Sequence, residues 1–144
     1  MSSLPAPSFT GRHIVVADED PAVVAFVIHT LRADGHAVFH AYDARSATEL
    51  ARALEHCDLV VSNTKVIGSD GVMLIRELKR ERPELPMLYM ANIGRSTPEL
   101  EAQLPADIPI LREPFTAREL RAAVGKLLDG AGPQRRSIAL GPTR

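Results

Sequence analysis

With 144 residues the chain has the size of one ordinary domain, enough to bury roughly two thirds of its unfolded surface in a single core. Hydrophobic residues make up 45% and charged residues 24%, which excludes a mainly disordered polyelectrolyte. Seventeen basic against 18 acidic side chains, a net charge of −1, leave no broad electrostatic footprint for nucleic acid or an anionic membrane.

Residues 1–11 carry Pro5, Pro7 and several Ser and Thr without the basic-then-apolar order of a signal peptide, and are expected as a flexible tail. Ile14-Val15-Val16-Ala17 is a β-branched run suited to a strand buried on both faces, and Asp18-Glu19-Asp20 follows it. Pro21 fits a first helical position behind Asp20 as cap. Val23, Val24, Phe26, Val27, Ile28 and Leu31 then give an apolar helix that stops at Asp34-Gly35, where glycine can turn left-handed. Ala37 to Ala41 reads as a second strand, and Ala47, Leu50, Ala51 and Leu54 form one face of a helix from about Ala44 to Glu55.

Cys57, the single cysteine, excludes an internal disulfide and precedes an apolar run, where a thiol behaves as a small hydrophobe. Leu59 to Asn63 is the third strand and residues 64–70 a loop. Gly71 opens a helix carrying Val72, Leu74, Ile75 and Leu78 that ends before Pro83, and Met87 to Ala91 is the fourth strand. Thr97 caps a short helix that Pro105 limits to about two turns. Ile108 to Leu111 is the fifth strand, and Thr116 caps a last helix with Leu120, Val124, Leu127 and Leu128 inward. Residues 129–144 hold three glycines and two prolines without apolar periodicity and are expected as a second flexible tail, so the folded unit spans 12–128. No apolar stretch approaches the roughly 18 residues of a membrane span, and a cytoplasmic location is expected.

Five strands alternating with five helices specify an α/β fold, a doubly wound five-stranded parallel sheet with right-handed helical crossovers. The crevice of such a sheet lies beyond the carboxyl ends of its strands. That places Asp18 and Glu19, Asn63, Ala91 and Asn92, and Glu113 at the candidate site.

Val15-Val16-Ala17-Asp18-Glu19-Asp20-Pro21, Asp58-Leu59-Val60-Val61-Ser62-Asn63, Gly68-Ser69-Asp70-Gly71, Pro86 to Ala91 and Leu111-Arg112-Glu113-Pro114-Phe115 stand in order at a familiar spacing. Together they resemble the receiver domain of bacterial two-component response regulators over residues 12–128. The resemblance implies a flavodoxin-like strand order 2-1-3-4-5 and a cis Glu113–Pro114 peptide. It also implies a site in which an aspartate at position 63 accepts phosphate, Mg²⁺ sits between it and the acidic pair, and a hydroxyl residue and a lysine hold the phosphoryl group. Three of those positions depart: the acceptor is Asn63, the hydroxyl residue is Ala91 and the lysine is Glu113. Phosphoryl transfer needs an anionic nucleophile and cationic neutralisation of growing charge; Asn63 gives neither, and Glu113 repels a phosphate dianion. The chain therefore reads as a pseudo-receiver, a phosphorylation-independent signalling and interaction module that is not an enzyme and requires no cofactor.

Two readings stand for Asp18 and Glu19: acidic residues favoured at a helix N-terminus, or oxygen ligands for a weakly held Mg²⁺. Asp18, Glu19 and Glu113 are expected to converge, raising at least one pKa, with Lys65 or Arg95 as the available compensating cation. The five histidines lack a clustered ligand pattern. The resemblance further implies output through the surface of the fourth helix, fifth strand and fifth helix. Ile110 replaces the aromatic gate there, and Arg95, Ile110, Arg118 and Arg121 are the expected interface. A histidine kinase, another regulator or a second copy are the expected partners. The alternatives are a DNA-associated regulator, opposed by the lack of a helix-turn-helix after residue 128, where Arg135-Arg136 is the basic pair, and a small flavodoxin-like cofactor-binding protein, opposed by an acidic first turn in place of a glycine-rich one.

Overall fold

The computed structural model describes residues 11–54 and 56–135, with side chains placed through residue 130; the remaining residues of both expected tails lie outside it. In chain order the elements are β1 (His13–Ala17), α1 (Pro21–Ala33), β2 (Ala37–Ala41), α2 (Ala44–Ala53), β3 (Leu59–Asn63), β4 (Lys65–Val66), β5 (Ser69–Asp70), α3 (Gly71–Glu81), β6 (Met87–Ala91), α4 (Pro98–Glu101), β7 (Ile110–Arg112) and α5 (Ala117–Arg135). Five strands form one parallel sheet in the order β2-β1-β3-β6-β7, the flavodoxin-like order expected, and β4 and β5 form a separate antiparallel pair.

Alternation of side chains along the strands gives the sheet two apolar faces. Val15, Val60, Met87 and Tyr89 join Ala47, Ala51, Ile75 and Leu78 of α2 and α3 in one core cluster, which includes Cys57. Ile14, Val16, Leu59, Val61, Leu88 and Met90 join Val27 and Leu31 of α1 and Leu120, Val124 and Leu128 of α5 in the other. All five residues of β3 and of β6 are buried, as central strands of a covered parallel sheet must be.

The helices start where their caps place them. Asp20, Asp43, Asp70 and Thr97 each accept a hydrogen bond from a backbone N–H in the first turn, a contribution of about 1 kcal/mol per cap. Thr116 and Glu119 form a capping box: Thr116 Oγ1 accepts from Glu119 N at 3.0 Å and Glu119 Oε1 from Thr116 N at 2.9 Å.

Four boundaries differ from the sequence reading. The loop 64–70 holds the β4–β5 hairpin, turned at Gly68 with φ +86°. The fifth strand begins at Ile110, not Ile108, because Pro109 has no N–H for the ladder and contributes its carbonyl to Tyr89 N instead. The fourth helix is one turn, shorter than the two expected. Finally α5 continues to Arg135, so residues 129–135 belong to the helix and not to a tail. Gly130 keeps negative-φ backbone and cannot act as the left-handed stop that Gly35, at φ +92°, provides for α1.

Candidate functional site

The register Ala17↔Ala41, Ala17↔Ser62, Asn63↔Met90 and Ala91↔Arg112 brings the carboxyl ends of the strands level, so the residues just beyond them share one crevice. Asp18 and Asn63 are fully buried there, with Thr64 and Ala91 beside them. Asn63 is the hub. Its Nδ2 donates to Asp18 Oδ2 and to Glu113 Oε2, both at 2.8 Å, and its Oδ1 accepts from Lys65 N at 3.2 Å. Glu113 Oε1 also accepts from Asn92 Nδ2 at 3.2 Å, and the Glu113–Pro114 peptide is cis. Asp18 Oδ1 accepts from Asp20 N at 2.8 Å, and His40 Nε2 donates to the Asp18 carbonyl at 3.0 Å.

Of the three carboxylates expected to converge, two do. Glu19 turns away to Lys65, with Nζ 3.6 Å from Oε2, because the ammonium at the start of β4 offers it a cation that the crevice lacks. Lys65 is thus the compensating cation for Glu19, while Arg95 stays exposed. Burial, opposed by hydrogen bonds from Asp20 and Asn63 and reinforced by the charge of Glu113, pushes the Asp18 carboxyl up to about 6.

This donor set does not fit Mg²⁺. The acidic oxygens that face Asn63 are occupied by its amide hydrogens, a neutral amide stands where a third carboxylate would coordinate, and Glu19 points to Lys65. Among the described residues no group of three or more His, Cys, Asp or Glu could hold a metal ion. His36 accepts from Arg12 N through Nδ1, and burial lowers its pKa, the behaviour of a structural neutral imidazole.

A second polar array adjoins the first and was not anticipated from the sequence. The Tyr89 hydroxyl, buried in the middle of β6, lies 2.7 Å from Thr64 Oγ1 and 2.8 Å from Ser96 Oγ. Ser96 Oγ donates to Glu101 Oε2 at 2.7 Å, and Arg112 grips Glu101 with both terminal nitrogens at 2.9 and 2.7 Å. Thr64 Oγ1 also accepts from Asn92 N at 2.9 Å, which joins the two arrays. The legible signal was Tyr89 itself: a tyrosine in a strand buried on both faces requires a partner for its hydroxyl.

The expected interface divides. Ile110 is 37% exposed on β7, and Arg95 and Arg118 are exposed. Arg121 belongs elsewhere: its Nε lies 3.1 Å from both carboxylate oxygens of Asp34, at the end of α1, so ion pairing turns it to the α1 side of α5. A groove of about 430 Å³ opens beside the crevice between α1 and the residues after β6 and β7. Phe26, Ile93 and Phe115 line it, and Glu113 is its one charged lining residue.

The family model of the response regulator receiver domain matches residues 14–125, most of the chain and every element of this site. The protein belongs to the response regulator receiver family. Solved structures agree. The receiver domain of an HD domain-containing protein from Pseudomonas fluorescens Pf-5 superposes with a TM-score of 0.79 at 22% identity, covering 94% of this chain and all of that one. NtrX from Brucella abortus in complex with ADP gives 0.75 at 24% identity over 94% of this chain, and its isolated receiver domain gives 0.71 at 26% identity over 81% of this chain and 98% of its own. This receiver spans 31% of the length of the longer NtrX chain.

Proposed function

We propose that this receiver signals without being phosphorylated: it is a non-enzymatic pseudo-receiver, a protein–protein interaction module of a two-component or phosphorelay pathway in the bacterial cytoplasm. The observation that carries the reading is the Asn63 amide at the acceptor position, with both hydrogens donated to the carboxylates of Asp18 and Glu113. An amide nitrogen so engaged is no nucleophile, and an incoming phosphoryl group would meet two carboxylates where the family chemistry calls for cations. Ala91, buried at the end of β6, has no hydroxyl to give. The module therefore needs no Mg²⁺ for its output.

The partner is a histidine kinase, another regulator or a second copy of the chain, held on the face of α4, β7 and α5. Exposed Ile110 on β7, with exposed Arg95 in the segment before α4 and exposed Arg118 in the first turn of α5, suits an apolar anchor with basic residues on the flanking elements. DNA is disfavoured by the near-neutral charge, and a phosphate-bearing flavin by the acidic, apolar-walled groove at Glu113. None of the described helices is long and apolar enough to cross a membrane.

Incubation with acetyl phosphate and Mg²⁺ tests the first half of this reading, and intact mass spectrometry should show no added phosphoryl group; such a mass, mapped to a crevice residue, would overturn it. For the second half, Ile110→Glu combined with Arg118→Glu should abolish binding to a candidate kinase, or self-association, while the chain stays folded. Retained binding would move the interface to another face.

A further inference from the structure

A receiver that keeps one state without phosphate needs something else to hold its output face, and the hydroxyl array at Tyr89 has the reach to do so. It starts at Thr64, the residue directly after Asn63, crosses β6 through Tyr89, passes through Ser96 to Glu101 on α4, and ends at Arg112 on β7. We propose that this row is a mechanical lock, with Tyr89 as its positioning residue, that fixes α4 and the segment before it against the crevice and so keeps the α4–β7 face in one permanent form. The inference rests on the phosphorylation-independent reading and supplies its physical means.

From Tyr89 to Glu101 the row has a single direction. Glu101 is a carboxylate whose pKa Arg112 and Ser96 hold below its ordinary value, so it only accepts, and Ser96 must donate to it. The Ser96 oxygen is then free to accept from Tyr89, and the single Thr64 proton is shared between the Tyr89 oxygen at 2.7 Å and the Met90 carbonyl at 3.1 Å. Burial pushes the Tyr89 phenol above its ordinary pKa, so its proton stays in place. The charge at Glu101 thereby orients the Ser96 and Tyr89 hydroxyls toward α4, and the charge-assisted bond from Ser96 to Glu101 is of the stronger type. One further bond ties the same segment to the residue after β3: Asn92 N donates to Thr64 Oγ1 at 2.9 Å. With α4 only one turn long, little else of its own anchors it; Leu100 and Leu104 pack on the core only partly buried.

Tyr89→Phe isolates the hydroxyl, since the ring still fills the core and the groups it leaves keep other partners: Thr64 has Met90 O and Asn92 N, and Ser96 has Glu101. Amide hydrogen exchange across residues 92–104 and 110–112 should rise about tenfold in Tyr89→Phe, with microsecond-to-millisecond relaxation dispersion confined to those amides. Ser96→Ala breaks the same row and should give the same signature, and the double variant should add nothing to either single one. Val124→Ala, in the core cluster on the opposite face, is the control for plain loss of stability. The lock is overturned if residues 92–104 remain as protected in both single variants as in the wild type, if the control reproduces the pattern, if the double variant is additive, or if the wild type already exchanges there. A phosphoryl mass gain would defeat the underlying reading and leave the mobility result standing, so the two failures are separable.

Discussion

The two polar arrays at the strand ends share Thr64 and Asn92 but solve opposite problems. Around Asn63, two carboxylates without a cation are held together by neutral amide hydrogens, and the cost appears in proton affinity: Asp18 titrates near 6. Around Tyr89, neutral hydroxyls are lined up by one carboxylate that has its own bidentate cation. Desolvation dominates the first array because its charge is uncompensated, whereas geometry dominates the second because its charge is paired at the surface end. The crevice is thus a sensitive electrostatic balance, and the neighbouring row is an insensitive frame.

Three measurements test that contrast. The largest effect is expected from Asn63→Asp, which removes both donors and brings a third carboxylate against Asp18 and Glu113. In metal-free buffer it should cost about 3 kcal/mol of stability in urea denaturation, and a variant as stable as the parent would show that the amide does not hold the pair. Next is pH. The folded Asp18 pKa near 6 exceeds the 3.8 of a free carboxyl, so between these values the folded chain binds more protons than the unfolded one. Its contribution is therefore fully present below pH 3.8 and is lost as pH rises through 6. Because lowered His36 opposes this near neutrality, the observable is a difference: the wild type should gain stability relative to Asp18→Asn on going from pH 7 to pH 5. Parallel curves would reject the shift. The smallest effect belongs to Arg112→Ala, at an ion pair whose guanidinium is exposed to solvent and whose carboxylate keeps Ser96 as a donor. Its mark should be a rise of the Glu101 pKa toward 4.5 by carboxyl NMR, with stability almost unchanged.

The alternation of strands and helices and the strand-end positions of Asp18, Asn63, Ala91 and Glu113 were legible because hydrophobic period and turn residues encode them locally, whereas the strand order came from the family resemblance. The start of β7 was displaced by Pro109, whose missing donor matters only once a neighbouring strand is known. The fate of Glu19 could not be read because it depends on the β4–β5 hairpin that carries Lys65 toward it. Likewise Arg121 looked equivalent to Arg118 in a list of positions, yet Asp34, 87 residues earlier, decides its direction. The Tyr89 row was hidden for the same reason: Thr64, Ser96 and Glu101 are ordinary loop and cap residues until the sheet stacks them.

Gly71 fixes the main chain beneath position 63. A side chain there would place its first carbon 1.8 Å from the Asn63 carbonyl, so α3 is seated directly on the main chain of residue 63. The backbone under the acceptor position is clamped from behind by a neighbour that never meets the side chain in front. A change of side chain at position 63 therefore alters the charge balance in front of the main chain without loosening the contact behind it.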